Sequence, residues 1–526
     1  MSGASRSRAP GRGGRYLGQD YRALRQKCLE NGELFRDKAF DAVPASLGYK
    51  ELGPNSALVQ GVEWKRPWKI CSSPKFISEG ATRTDICQGE LGDCWLLVSV
   101  ASITLQKDVL ARVVPQDQSF QTDYAGIFHF QFWQEGEWVD VVVDDRLPVK
   151  DGRLLFVHSA DCTEFWSALL EKAYAKVSGC YESLKGGLPS ESLTDFTGGI
   201  VEVYELHSAP SYLYAVMMRA MRLGSLLATF TMFDSTLNLV DKHAYSITGV
   251  QKVHLQGTTA NLVRLRNPWG HKEWRGAWSD NSREWDLVEP EERKKLNYSA
   301  DDGEFWMAFS DFKDHFSEVH ICNRTPDTSD DLSHWRFSQF NGVWKAGSTA
   351  GGNREHKATF CNNPQFAIEL GELDSEPHDG VEGCSLLVGL IQKNTRRMKM
   401  LGQELSAVGF SIYRVPQEYV GQSNITLGRD VLLRQKPVAV TDPFEPRREI
   451  CKRFTLPPAE YVLVPSTALP DQEGGFLLRV FYKKMAFNRW VTVPDGQFGG
   501  SGTHGQVFCP TGKRWTFDLK SPVDEC

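Results

Sequence analysis

Gln88-Gly89-Glu90-Leu91-Gly92-Asp93-Cys94-Trp95 places an amide donor six residues ahead of a thiol, where a polar, glycine-rich approach gives way to an apolar run. The pattern from Cys94 to Val109 is helical, so the sulfur is predicted near the start of a helix. A helix N-terminus carries about half a positive charge and free N–H groups, and both favour a thiolate and an oxyanion. Far downstream, His243 and Asn267 lie in polar, turn-bracketed segments. These four side-chain types suffice for acyl transfer. Cys94 attacks a carbonyl, His243 takes and returns the proton, Asn267 holds the imidazole tautomer, and Gln88 donates to the oxygen that becomes negative. A single cysteine or histidine is more often packing or surface chemistry. The constellation, with Trp95 and Asn267-Pro268-Trp269-Gly270 beside it, carries the reading.

Around this segment the chain changes character by region. Residues 1–15 read as a basic leader, and Tyr21, Leu24 and Cys28 recur at helical spacing between Asp20 and Asn31. The Pro/Gly/Trp-rich stretch 48–74 predicts irregular packing segments. Residues 126–132 and 138–144 read as strands, 164–176 as an amphipathic helix, and 217–224 as a helix end stopped by glycine. Strand-like runs follow at 226–233, 244–250 and 262–265, with His243 just before one and Asn267 just after another. An α-rich part carrying Cys94 and a β-rich part carrying His243 and Asn267 put the site in the cleft between them. The polar, Pro/Asp-rich segment 323–333 reads as a linker. Beyond it, short strands at 366–370, 385–391, 407–413, 461–464 and 476–481 predict an all-β sandwich with an acidic loop at 371–382. Arg396, Arg397 and Lys399 form a basic cluster, and the Gly/Pro-rich residues 485–526 predict an irregular, poorly ordered tail.

Composition narrows the classes. A chain of 526 residues is too long for one ordinary core and suggests roughly two to four domains. Sixty Lys and Arg against 66 Asp and Glu leave a net charge of −6, with no basic excess to hold a phosphate backbone, so nucleic acid is not expected as a partner. The leader has no signal-peptide core and no run reaches the ~18 apolar residues of a membrane span, which predicts a soluble cytoplasmic protein. Twelve cysteines without a CxxC pair argue against a disulfide scaffold and against structural zinc, and reduced thiols suit a thiolate nucleophile.

The stretches QGELGDCWLL, HAYSITG and RLRNPWG closely resemble signatures of the calpain family of papain-like cysteine proteases, and PSTALPDQEGGFLLRVF resembles the end of that family's β-sandwich domain. The resemblance covers about residues 16–482. It implies an α+β, papain-like two-lobed protease core followed by an all-β, C2-like sandwich. The corresponding parts are a leader and anchor helix at 1–35, lobe 1 at 36–198, lobe 2 at 199–322, the sandwich at 335–482 and an irregular tail at 483–526. It implies calcium-dependent endopeptidase activity on polypeptides held extended in the cleft. Cys94 would be nucleophile, His243 general base and acid, Asn267 the imidazole orienter, Gln88 the oxyanion donor and Trp269 the shield of the Asn–His bond. Carboxylates near the catalytic elements read by themselves as surface charges. By resemblance, Ca2+ would bind through the carbonyls of Ser78 and Gly80 with Asp85 and Glu164, and through Glu273, Asp280, Asp302 and Glu304 with the Ala300 carbonyl. Calcium would then rotate the lobes from an open, latent cleft to an assembled one. The C2-like sandwich implies a phospholipid surface as a further partner.

Four features depart from the family pattern. The loop 231–242 is short, Asp241-Lys242 replaces the usual dipeptide before the histidine, and Cys361 stands where a tryptophan is usual. If that last position is core, the loss is about 1 to 3 kcal/mol of aromatic burial. No D-x-[DN]-x-[DN]-G repeat with its closing glutamate follows Phe481, which predicts an atypical or truncated member without the penta-EF-hand domain and speaks against a small regulatory subunit. The competing reading is a catalytically weak regulator that binds targets or phospholipid through the sandwich. A transglutaminase-like acyl transferase is disfavoured because Asn267, not an aspartate, would orient the imidazole.

Overall fold

In the computed structural model, CWLLVSVASI forms an α-helix at Cys94–Ile103 with all ten residues buried. The structure describes residues 14–231, 237–255, 257–296, 303–323, 336–371, 373, 382–422, 425–482 and 486–489. A helix apolar on every side has no face for water and must lie inside a core. It packs on helix Pro189–Thr197 and on strand Ala244–Leu255, so it belongs to the seam between two lobes. The single helix predicted to Val109 is in fact two. The Thr104 hydroxyl bonds back to the Ala101 carbonyl at 2.6 Å, Gln106 is extended, and a second helix runs over Lys107–Val113. Side-chain to backbone bonding of this kind competes with helix propagation.

The first lobe surrounds that helix with the hairpin Ile127–Gln134/Glu137–Asp144 and helix Trp166–Ser178. Glu135 and Gly136 both take positive φ, the two-residue turn that suits the right-handed strand twist. Helix Tyr21–Asn31 is capped by Asp20, whose Oδ1 accepts the Ala23 N–H at 3.0 Å. The second lobe is built on an antiparallel sheet with strand order 304–308, 258–266, 244–255, 226–230, 318–323, 200–205. Strands Ala244–Leu255 and Thr258–Arg266 are neighbours, and their register pairs Ser246 with Arg266. That pairing brings His243 and Asn267 to the same end of the sheet.

After the second lobe come two antiparallel sheets. One runs in the order 336–344, 474–482, 384–392, 449–456, the other 439–440, 408–414, 459–467, 366–370, 486–489. Leu386, Val388, Phe410, Ile412, Leu463, Phe476 and Leu478 fill the space between them. The sandwich expectation holds, although strands Arg336–Trp344 and Glu449–Leu456 lacked a clear alternating signal. Two expectations are corrected. Ala486–Arg489, expected in the irregular tail, pairs with 367–370, because a sheet edge needs only main-chain hydrogen bonds and no apolar anchors. Cys361, on a 3-10 turn, is partly buried and packs against the cluster of Phe360, Tyr413 and Val415, so the position lies at the rim of a core and not at its centre. Only Asn323 of the proposed linker 323–333 is described, the acidic insert 371–382 lies almost wholly outside the described residues, and so does 490–526. Among the described residues no helix is long and apolar enough to cross a membrane.

Arginines tie the sandwich to the protease core, Arg448, Arg453 and Arg479 among them. Arg448 meets Asp195 through two bonds of 2.9 and 2.6 Å, Arg453 meets Glu202 at 2.7 and 2.5 Å, and Arg479 donates to the carbonyls of Gly198 and Gly199 at 2.8 and 2.7 Å. Gly198 and Gly199 link helix Pro189–Thr197 to strand Ile200–Glu205. Gly198 has φ +68°, and a Cβ on Gly199 would lie 2.5 Å from the Asn323 carbonyl. The basic cluster lies along the protease core, with Arg396 over the Trp95 ring at 4.1 Å and the exposed Lys399 donating to the Lys185 carbonyl. Breaking a buried ion pair strands the remaining charge, which costs about 3 to 5 kcal/mol. Arg448→Met should therefore lower stability by about that amount, read as a lower urea midpoint, with Asp195→Asn in the same background recovering part of it.

Candidate active site

The approach to Cys94 is fixed by one glycine. Glu90 N–H bonds the Leu155 carbonyl at 3.0 Å, and a Cβ on Gly89 would lie 2.3 Å from the Phe156 carbonyl. Only glycine lets the loop lie this close, and it presents Gln88 at the cleft. Asp93 occupies the N-cap position, and its carbonyl accepts from Leu96 and Leu97. The sulfur then opens the buried helix.

His243 is held from every side. Its N–H bonds Thr231 Oγ1 at 3.0 Å, its carbonyl accepts from Thr231 N at 2.9 Å, and Tyr245 stands edge-on to its ring at 5.2 Å. His243 Nε2 lies 2.9 Å from Asn267 Oδ1. Asn267 Oδ1 also accepts from Trp269 N at 3.0 Å, and Nδ2 donates to the His271 and Lys272 carbonyls at 2.8 and 3.2 Å. This pattern fixes the amide, so Nε2 carries the proton and Nδ1 is the accepting nitrogen of the neutral ring. Trp269 lies 4.8 Å from the imidazole and covers the Asn–His pair. Its indole Nε1 donates to Gln88 Oε1 at 2.7 Å, which joins the two halves of the site. Because indole N–H only donates, Gln88 must turn its NH2 the other way, to the Leu91 carbonyl at 2.6 Å and Asp93 Oδ1 at 3.4 Å. Gln88, Gly89, Glu90 and Leu91 line a cleft opposite Trp269 and His271.

Electrostatics describe a resting site. Burial pushes the Cys94 thiol up to about 11; the Ala244 N–H works against this, and Asp93 adds to it. Burial pulls His243 down to about 4, with the Asn267 hydrogen bond opposing and Lys272 assisting. Both groups are therefore neutral near pH 7, and no hydrogen bond joins Cys94 to the imidazole among the described residues.

The structure gathers part of each proposed calcium set. Glu164 Oε1 accepts from Ser78 N at 2.6 Å and Oε2 from Ser159 at 2.8 Å, while Asp85 accepts from Thr82 and from Trp166 Nε1 at 3.1 Å. Burial pushes Glu164 up and the adjacent Asp85 carboxyl adds repulsion, against the Ser78 and Ser159 bonds. Gly80 lies in the same loop, at φ +99°. Two compressed acids in a carbonyl-bearing loop fit a hard divalent cation. In the second set, Glu273 Oε1 accepts from Gly303 N at 2.7 Å, and Glu304 is bound by Arg83 at 2.9 Å and Arg264 at 3.6 Å. Asp280 is half-buried, and Ala300 and Asp302 lie outside the described residues. Among the described residues no three His, Cys, Asp or Glu side chains converge on one metal position, so both sets would depend on backbone carbonyls.

The family model "Calpain family cysteine protease" matches residues 35–323, and "Calpain large subunit, domain III" matches 340–481. The chain belongs to the calpain family. It is 55% identical over 482 residues to the calpain-2 catalytic subunit of Mus musculus and 54% to that of Bos taurus, covering 90% of this chain and 69% of each relative. The calpain-1 catalytic subunit of Gallus gallus is 54% identical over 482 residues, covering 90% and 68%. This calpain is a calcium-regulated cysteine endopeptidase acting on protein substrates, with calcium as the family's cofactor. Sequence reading overlooked Tyr245, Lys272 and the buried Glu171 beside Asp93. Only Asp93, an acid at an N-cap, gave a local signal.

Iodoacetamide inactivation without calcium should be slow at pH 7.5 and rise only above about pH 9, because the buried thiol must ionise unaided. Calcium should move that profile toward lower pH. A pH–rate series with and without the ion checks both.

Proposed function

We propose that this chain performs limited proteolysis of cytoplasmic proteins with Cys94 as nucleophile, His243 as general base and acid, Asn267 as orienter and Gln88 as oxyanion donor. The Asn267 network carries this reading, because it makes Nδ1 the proton-accepting nitrogen of a neutral imidazole. Once the lobes close, Nδ1 takes the Cys94 proton, and the thiolate attacks the peptide carbonyl. The oxyanion is met by the Cys94 N–H at the helix start and by the Gln88 amide, whose Oε1 is tied down by Trp269. Protonated His243 gives its proton to the leaving amine, and then accepts one from the water that hydrolyses the thioester. Trp269 keeps bulk water from the Asn267–His243 bond.

Asp85 and Glu164, with the carbonyls of Ser78 and Gly80, would hold one calcium ion, and Glu273, Asp280, Asp302 and Glu304 with Ala300 a second. Bound there, calcium supplies positive charge that relieves the repulsion between paired carboxylates. Arg83 sits next to the first set and pairs with Glu304 of the second, which supports coupled occupancy. The neutral, unjoined Cys94 and His243 support a latent resting enzyme rather than an inactive one. A phospholipid surface is proposed as a partner of the sandwich by family analogy alone.

Purified protein should cleave casein only with calcium, and Cys94→Ala should abolish cleavage. Persistence in the variant, or no cleavage at any calcium concentration, would overturn the reading. Gln88→Ala should lower kcat/KM by about a hundredfold. Glu164→Gln should raise the calcium concentration for half-maximal activity about tenfold with little change at saturation.

A further inference from the structure

Asp93 breaks a local rule. At an N-cap its carboxylate would ordinarily accept a helix N–H, yet it makes no such bond. It turns instead into the core and is fully buried. There it lies against the carboxyl of Glu171 from helix Trp166–Ser178, itself 3% exposed. Asp93 Oδ1 accepts from Gln88 Nε2 at 3.4 Å, and Glu171 Oε2 accepts from Val157 N at 3.1 Å. The two remaining oxygens, Asp93 Oδ2 and Glu171 Oε1, are buried and have no donor. Two carboxylates in contact with no donor between them are tenable only with a proton in that gap.

Neutralisation from elsewhere is missing. Among the described residues no ammonium or guanidinium bonds either carboxyl, and Lys172, the next residue on the helix, is committed to Asp144 at 2.6 Å and the Arg146 carbonyl. The groups facing the pair are Gln88 and Cys94 on the neighbouring segment, the Val157 N–H, and Tyr181, whose buried hydroxyl lacks a partner. Burial pushes both acids up, Glu171 further because Asp93 repels it.

We propose that Asp93 and Glu171 share one proton and act as a positioning pair for Gln88: Asp93 Oδ1 holds one amide N–H, and the other, on the Leu91 carbonyl in this structure, turns to the developing oxyanion. This rests on the reading of Gln88 as oxyanion donor. With one proton the pair carries a single negative charge. Loss of that proton would set two charges beside Cys94 and oppose formation of its thiolate; loss of Glu171 would release Asp93 from its place, and loss of Asp93 would leave the Gln88 nitrogen to the Leu91 carbonyl alone. Asp93 and Glu171 touch no substrate; they act by holding Gln88 and by the charge they place beside Cys94.

The test uses the full chain with saturating calcium and three readouts. These are the kcat–pH profile on a fluorogenic peptide, the affinity for a peptide aldehyde that forms an oxyanion on Cys94, and the iodoacetamide rate, which involves no oxyanion. Glu171→Gln and Asp93→Asn each keep one N–H between the two groups. Both should hold kcat at neutral pH within about threefold and lose one ionisation from the alkaline limb. Glu171→Leu should lower kcat and aldehyde affinity together by about tenfold, leaving KM and the iodoacetamide rate near wild type. An infrared difference spectrum of wild type against Glu171→Gln should lose one protonated-carboxyl band. The pair is overturned if no band is lost, if Glu171→Leu keeps wild-type aldehyde affinity, or if that variant loses alkylation and aldehyde affinity equally, as general damage would. Unchanged aldehyde affinity in Gln88→Ala would instead refute the role of Gln88 itself.

Discussion

Desolvation of one sulfur and one imidazole governs the rest of this structure. Cys94 and His243 sit where helix Cys94–Ile103 meets strand Ala244–Leu255, and burial there favours the neutral form of each. A thiolate and an imidazolium brought together would stabilise each other strongly in such a medium, because Coulomb attraction grows as the dielectric falls. Held apart, each bears the cost of burial alone. The same dry seam that suppresses the chemistry at rest thus amplifies it once the pair is joined. On the proposed mechanism, latency and reactivity are two geometries of one environment, separated by a movement between the lobes.

Much of this was legible from residue order. Gln88, Cys94, His243 and Asn267 announce their chemistry by type, and the strand ends that carry the last two follow from alternating runs that stop at polar residues. The helix at Cys94 was visible as apolar density, but its end was not. Thr104 and Gln106 are tolerable helix residues, and only the bond from Thr104 to Ala101 and the extended Gln106 stop it. Strand Glu449–Leu456 escaped notice because Arg453 interrupts its pattern, and Arg453 is there for Glu202 of the other domain. Glu171 was invisible for a related reason. In sequence it is one charge in an amphipathic helix, and only the fold reveals that it faces inward to Asp93.

The second lobe and the sandwich meet around the joint between lobes. Arg479 is buried, stacks over Trp133 at 4.7 Å and spends two donors on the carbonyls of Gly198 and Gly199. Those carbonyls belong to the segment between helix Pro189–Thr197 and strand Ile200–Glu205. Glu449 accepts from Arg479 and from Thr194, so one sandwich carboxylate is bonded both to the clamp and to helix Pro189–Thr197. That helix packs on the helix of Cys94. The sandwich is therefore connected, through bonded and packed elements, to the helix that Cys94 opens.

Two polar chains thus converge on the catalytic helix from opposite directions. From the lobe seam, His271 and Lys272 carbonyls hold Asn267, Asn267 holds His243 and Trp269, and Trp269 holds Gln88. From the core of lobe 1, Val157 holds Glu171, Glu171 meets Asp93, and Asp93 accepts from Gln88. Gln88 is where they meet, its oxygen committed to one lobe and its nitrogen to the other. An amide pinned at both ends cannot rotate, so movement of the second lobe must either carry Gln88 with it or break the Trp269 bond. Freed at its oxygen but still held at its nitrogen by the Leu91 carbonyl and Asp93, the amide would keep its orientation as the indole leaves the cleft. The acid pair therefore matters most at that moment, when nothing from the second lobe fixes the donor that the oxyanion needs.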